Sequence, residues 1–126
     1  MAKPMREPTF WILTALAAEP RHGYGVLQEV SRLTGGQVKL LAGTLYAALD
    51  RLTAEGLVEA DHDEVVDGRS RRYYRLTSDG ATALEAEAER LRLSARTARQ
   101  QLAAGRPELG PALGRTAAFP KLGRLA

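Results

Sequence analysis

Three helical segments in succession, two β segments joined by an Asp-Gly turn, and a long last segment with apolar residues every three or four positions predict an α+β fold, mostly α. Three helices followed by a hairpin make a winged helix-turn-helix, and the last segment adds a long C-terminal dimerisation helix. The predicted parts are 1–77 for the winged domain, 78–104 for the dimerisation helix and 105–126 for a weakly structured tail.

Each element has its own signal. Residues 8–18, PTFWILTALAA, start at Pro8, which suits a first helical position, and stop before Pro20. This run is apolar nearly all round, as in a helix that is buried or shared between subunits. Residues 23–34 repeat Val26, Leu27, Val30 and Leu33 at helical spacing, and Gly35-Gly36 supplies the stop. The link QVKLLA leads to a third helix over 43–55, with Leu45, Leu49 and Leu52 as its inner stripe, Ala48 beside them and Gly56 at its end. The period then changes. LVEADHDEV and SRRYYRL read as strands around the turn VDGR, where Asp67-Gly68 is a hairpin signal. Thr77 is the expected N-cap of the last helix. There Leu84, Ala88, Leu91, Ala95, Ala98 and Leu102 form a heptad seam that nothing else in the chain covers, so a second copy is expected on it. Leu109, Leu113, Phe119 and Leu122 of the tail are candidates to dock on a partner.

The 126 residues suffice for one domain with a modest core, or a small domain plus an oligomerisation arm. No apolar run approaches the roughly 18 residues of a membrane span, and MAKPMREP has no apolar signal core, so a cytoplasmic protein is expected. The absence of cysteine removes disulfides, thiol catalysis and Cys-based zinc sites. The net charge of +3 is unevenly spread. Residues 1–80 hold 10 Lys+Arg against 11 Asp+Glu, and residues 81–126 hold 8 against 4. A polyanion footprint on the first part therefore depends on local clustering of charge.

Two clusters have that character. Opposite the leucines, the third helix carries Gly43, Ala47, Asp50 and Ala54, with Thr44, Tyr46 and Arg51 on the flanks. A solvated helix would carry Lys and Glu there. Small residues permit close approach to a groove floor, and Ala47 suits a thymine methyl. Thr44 and Tyr46 suit phosphates or bases, and Arg51 a phosphate. The alternative is an ordinary surface helix with a half-buried tyrosine. The second cluster is Arg69, Arg71, Arg72 and Arg75, with no acid among them. Strand alternation puts Arg69 and Arg71 on one face and Arg72 on the other. Such a tip fits phosphate contact or minor-groove insertion; the alternatives are a solvated arginine face, or Arg75 paired to acids of the neighbouring strand. Tyr73 and Tyr74 point to opposite faces, so one of them belongs to the core. His22 and Tyr24 open the second helix, where backbone N–H groups can bind phosphate, unless Tyr24 is a core residue.

The chain resembles the PadR family of bacterial transcriptional regulators. The resemblance rests on HGYGVLQEV (22–30), AGTLYAALDRLTAEGLVEA (42–60) and GRSRRYYRLTSDG (68–80). These match the family's HGY opening of helix 2, its GTLY-x-AL-x-RL-x-x-x-GL-[IV] recognition helix and its R-[RK]-x-Y-x-[LI]-T-x-x-G wing. The match covers about residues 8–80, and the C-terminal part is similar to the subfamily with a single-helix arm. The resemblance implies a homodimer on a palindromic double-stranded DNA operator, usually a repressor released by a small molecule. It supports a phosphate contact at His22 and Tyr24, with Lys39 nearby. Many members have Ser-Pro before the GTLY glycine and proline after its tyrosine; here those positions are Leu41, Ala42 and Ala47.

The resemblance also implies an effector cavity between helix 1 and the last helix, lined here by Phe10, Trp11, Thr14, Leu84, Ala88 and Leu91. Trp11 is the candidate to stack on a hydrophobic or planar aromatic effector; the alternative is that Phe10 and Trp11 are dimer core. DHDE at 61–64 is expected to be a solvated strand end rather than a metal site, since alternation sends Asp61 and Asp63 away from His62 and Glu64. No nucleophile elbow, phosphate loop or catalytic constellation is visible, so neither an enzyme nor a cofactor is expected. The competing reading is a winged-helix module that binds protein through the same face.

Overall fold

The computed structural model describes residues 4–105. Its elements are α1 (Glu7–Ala17), β1 (Arg21–His22), α2 (Gly23–Leu33), α3 (Ala42–Ala54), β2 (Val58–Val66), β3 (Arg69–Leu76) and α4 (Ser78–Gly105). The three strands form one antiparallel sheet in the order β1-β3-β2. This is the winged helix-turn-helix read from the sequence, with one strand added. The described residues divide into two compact units, one ending at Ala88 and the other beginning at Glu89. Tail residues Leu109, Leu113, Phe119 and Leu122 lie outside the described residues.

The core of the first unit is the predicted stripes brought together. Ile12, Leu13 and Leu16 of α1 meet Val26 and Val30 of α2, Leu45, Leu49 and Leu52 of α3, and Val58 of β2, all fully buried or nearly so. Leu27 is only partly buried, and Leu33, at the end of α2, is exposed. Tyr74 packs against this cluster, so it is the inward tyrosine of the pair. Leu84 packs against it too, placing the first turns of α4 on the same core.

The helix ends explain the sharp turns. At the end of α3 the Gly56 N–H reaches the Thr53 carbonyl and the Leu57 N–H reaches back to Leu52, with Gly56 at φ +77°. This Schellman closure needs the left-handed conformation that glycine adopts freely. Thr77 caps α4 as predicted: its hydroxyl accepts from the Gly80 N–H at 2.9 Å and donates to the Gly56 carbonyl at 2.7 Å. Asp67 and Gly68, at φ +52° and +76°, form the two-residue hairpin turn whose twist suits the strands.

β1 escaped the sequence reading because two residues carry no period. It exists by long-range pairing, with Arg21 opposite Tyr74 and His22 opposite Tyr73. Arg21 fixes the corner: its Nε donates to the Ala15 carbonyl at 2.8 Å, and its guanidinium faces Glu29 of α2 at 3.4 Å. A β-bulge in β2 between Ala60 and His62 breaks the expected alternation. Asp61 therefore lies beside His62, 2.5 Å from its Nδ1, instead of pointing away from it. In the second unit, Leu91, Leu93 and Leu102 are exposed along α4.

Candidate nucleic-acid interface

α2, α3 and the wing converge on one cleft of about 310 Å³, lined by His22, Gly23, Tyr24, Tyr46, Ser70, Arg71, Arg72 and Tyr74. Five of these eight were singled out as nucleic-acid contacts from sequence, and they come from four elements, β1, α2, α3 and β3, that only folding unites. Gly23, Ser70 and Tyr74 were not. Ser70 sits within the arginine run and Gly23 within the HGY stretch, but nothing local marks either as lining a cleft.

Tyr46 is held in place by Gly23. A Cβ on Gly23 would lie 2.7 Å from the Tyr46 Cζ and closer still to its hydroxyl. The phenol thus rests on the backbone at the start of α2, while the side chain stays 48% exposed. Tyr24 is 59% exposed, which excludes a core role. Gly43, Thr44 and Ala47 are exposed on α3, and nothing lies within 4 Å of where a Gly43 Cβ would be. Leu41 caps α3 with no side-chain hydrogen bond and is 76% exposed.

The arginines divide by partner. Arg75 pairs with Glu59, and Arg72 lies 3.5 Å from Asp63. Arg51 donates to the Thr9 hydroxyl at 2.7 Å and lies 3.5 Å from Glu55, so its guanidinium ties α3 to α1. Among the described residues, Lys39, Arg69 and Arg71 have no carboxylate at ion-pair distance. Arg71 instead lies beside His22, with Nη1 3.4 Å from the ring Nε2. His22 caps α2, its Nδ1 accepting from the Gly25 N–H at 3.2 Å. Partial burial, then the Arg71 charge, hold the His22 pKa below 6.5, with Glu64 opposing them.

On the outer face of the sheet, Tyr73 stacks on His62, centroids 4.4 Å apart, and meets His22 edge-on at 5.1 Å. Hydrogen bonds accepted by Asp61, then Glu64, push the His62 pKa above 6.5. Among the described residues no group of three or more His, Asp or Glu side chains is arranged to hold a metal ion. No described helix is long and apolar enough to cross a membrane.

Comparison with known proteins places this arrangement. The profile of the Transcriptional regulator PadR-like family matches residues 12–86. The chain belongs to the PadR-like family of transcriptional regulators. Transcriptional regulator Rv3488 of Mycobacterium tuberculosis is 44% identical over 73 residues, which cover 58% of this chain and 64% of that protein. A PadR family transcription regulator from Clostridium difficile superposes with a TM-score of 0.63 at 25% identity, covering 75% of this chain and 96% of that one. Bacillus subtilis PadR, solved in complex with operator DNA, has the same fold: TM-score 0.58, 22% identity, and coverage of 64% and 46%.

Of the candidate effector residues, Phe10, Trp11, Thr14, Leu84 and Ala88 lie in the first unit and Leu91 in the second. Phe10, Trp11 and Thr14 form the half-buried row of α1. Phe10 and Trp11 meet edge-on at 5.1 Å, the indole N–H faces Glu7 at 3.4 Å, and the Thr14 hydroxyl donates to the Phe10 carbonyl at 2.7 Å. Of the heptad seam, Leu84 is taken up by the chain's own core, whereas Ala88, Leu91, Ala95, Ala98 and Leu102 are exposed. Glu87 is buried at 3% exposure, which the polar pattern of that segment did not suggest.

Proposed function

We propose that this PadR-family protein is a DNA-binding regulator, a homodimeric repressor of a palindromic operator that a small molecule releases. The observation that carries the reading is the cleft where His22, Tyr46 and Arg71 converge beside the exposed, small-residue face of α3. Among the described residues, Arg69 and Arg71 have no carboxylate partner, on a wing whose other arginines are paired. The operator structure of the Bacillus subtilis relative agrees with it. In this reading residues 1–77 form the DNA-binding domain and 78–104 the dimerisation helix. The first turns of α3 enter the major groove with Gly43, Thr44, Tyr46 and Ala47. His22, Tyr24, Lys39, Arg69, Arg71 and Arg72 serve the backbone. Arg51, engaged with Thr9 and Glu55, contributes chiefly to the fold.

A hydrophobic or planar aromatic effector would meet Phe10, Trp11 and Thr14, and would lower affinity by preferring a spacing of the two domains that misfits the operator. The protein has one tryptophan, so effector binding is read directly from Trp11 fluorescence. No catalytic role and no cofactor belong to this reading, and its place is the cytoplasm.

The test is footprinting of the purified protein on DNA just upstream of its own gene, across a salt series. A protected palindrome whose affinity falls steeply with salt is the expected result. Binding absent at low salt, with a protein partner captured by the same face, would replace this reading by the protein-interaction one.

A further inference from the structure

His22 stands where three constraints meet. Its Nδ1 accepts the Gly25 N–H at 3.2 Å. A ring nitrogen that accepts carries no proton, so the proton of the neutral ring sits on Nε2. That Nε2 is 3.4 Å from Nη1 of Arg71. A guanidinium has donors only, so Nε2–H and the Arg71 N–H groups cannot bond one another. They are neighbouring donors on the wall of one cleft, and they call for a shared acceptor with more than one oxygen. Tyr73 of β3 fixes the ring from the side, edge-on at 5.1 Å. The charged and titratable groups facing the ring are Arg71 and Tyr73 of β3 and Glu64 of β2. Glu64 is already engaged: His62 is 3.0 Å away and Tyr73 also bonds to it.

We propose that His22 divides its ring nitrogens between fold and ligand: Nδ1 caps α2, while Nε2–H and the Arg71 guanidinium together grip one phosphodiester of the operator backbone. This rests on the DNA-binding reading above. A phosphodiester supplies two non-bridging oxygens, one for each donor. The histidine binds as a neutral donor, and the arginine brings the charge. His22 thereby ties the helix-turn-helix to the wing at a single phosphate.

The two nitrogens are separable by substitution. His22→Asn keeps an acceptor for the Gly25 N–H, since Asn is a strong N-cap, but has nothing in the place of Nε2. On the duplex protected in the footprint, H22N is expected to melt like the wild type yet bind about tenfold or more weakly. Its salt slope is expected to stay that of the wild type, because a neutral donor displaces no counterion. Arg71→Gln lowers the slope by about one. The double variant loses less than the product of the two single losses, because both donors serve one phosphate. Wild-type affinity in H22N would overturn the proposal, as would a slope lowered by about one in that variant. Independently of any variant, ¹⁵N spectra of the DNA complex are expected to show His22 with one protonated and one bare ring nitrogen; two protonated nitrogens would overturn it. If the wild type itself binds no DNA, the functional reading fails first, and that outcome differs from H22N binding as well as the wild type.

Discussion

The chain's two histidines, His22 and His62, lie on either side of Tyr73 and are pushed in opposite directions from the same ordinary value of 6.5. Burial and Arg71 disfavour a proton on His22; the hydrogen bonds of Asp61 and Glu64 favour one on His62. For His22 the unfolded chain holds its proton to higher pH than the folded chain. Its contribution to stability is therefore complete above 6.5 and falls as pH drops through the lowered folded value. For His62 the contribution is complete below 6.5 and is lost as pH rises through the raised folded value. The two together predict a stability maximum near pH 6.5. Proton NMR is expected to give two imidazole midpoints, one on each side of that pH. Denaturant midpoints of His62→Gln should lose the alkaline decline and keep the acid one. Two coincident midpoints, or an unaltered alkaline decline in H62Q, would refute the opposed environments.

At the scale of elements, two buried glycines have similar crowding and opposite consequences. A Cβ on Gly80 would strike the Leu57 carbonyl oxygen and come within 2.8 Å of Leu76 Cδ1. That carbonyl accepts the Thr77 N–H at the start of α4 and cannot retreat. Gly80→Ala is expected to destabilise the fold by about 2 kcal/mol, read as a lower denaturant midpoint with an unchanged slope. A Cβ on Gly23 meets the far end of Tyr46, which can swing away. Gly23→Ala is therefore expected to leave stability within about 0.5 kcal/mol of the wild type but to displace the Tyr46 hydroxyl and weaken operator binding in a gel shift. Large destabilisation in G23A would mean that Tyr46 has nowhere to go. The same contrast explains what the sequence disclosed. The four helices, the Asp67-Gly68 turn and the Thr77 cap were legible because their signals are local: a period, a cap, a left-handed turn. The wing arginines were legible as a cluster, and so was Arg75 as the one paired across the strands, but not the approach of Arg72 to Asp63, which strand register sets. β1, the bulge at Asp61, the Arg51–Thr9 bond and the seat of Tyr46 on Gly23 are made by residues distant in the chain, and composition or spacing leaves no trace of such contacts.

For the whole molecule, the proposed seam on α4 would decide whether one DNA-binding domain acts or two. Leu84 has its partners within its own chain, so the exposed stripe proposed for a second copy begins at Ala88 and continues through Leu91, Ala95, Ala98 and Leu102. Leu91 and Leu102 are 40% and 53% exposed, and they are the large side chains of that stripe. If the stripe is the dimer seam, a charge there puts two like charges across a two-fold axis in an apolar contact, while the core of the winged unit is untouched. Leu91→Lys combined with Leu102→Lys is expected to sediment as a monomer and to retain the helical content and folded core of the wild type. A monomer engages a palindrome through one half-site at a time and forfeits the linked second contact, so its affinity is expected to fall about 10²-fold or more. Binding to a single half-site should be nearly unchanged, which separates lost assembly from a damaged DNA-binding domain. A double variant that remains a dimer would place the seam elsewhere, and a variant that is monomeric yet binds the full palindrome as tightly as the wild type would remove the need for two domains acting together.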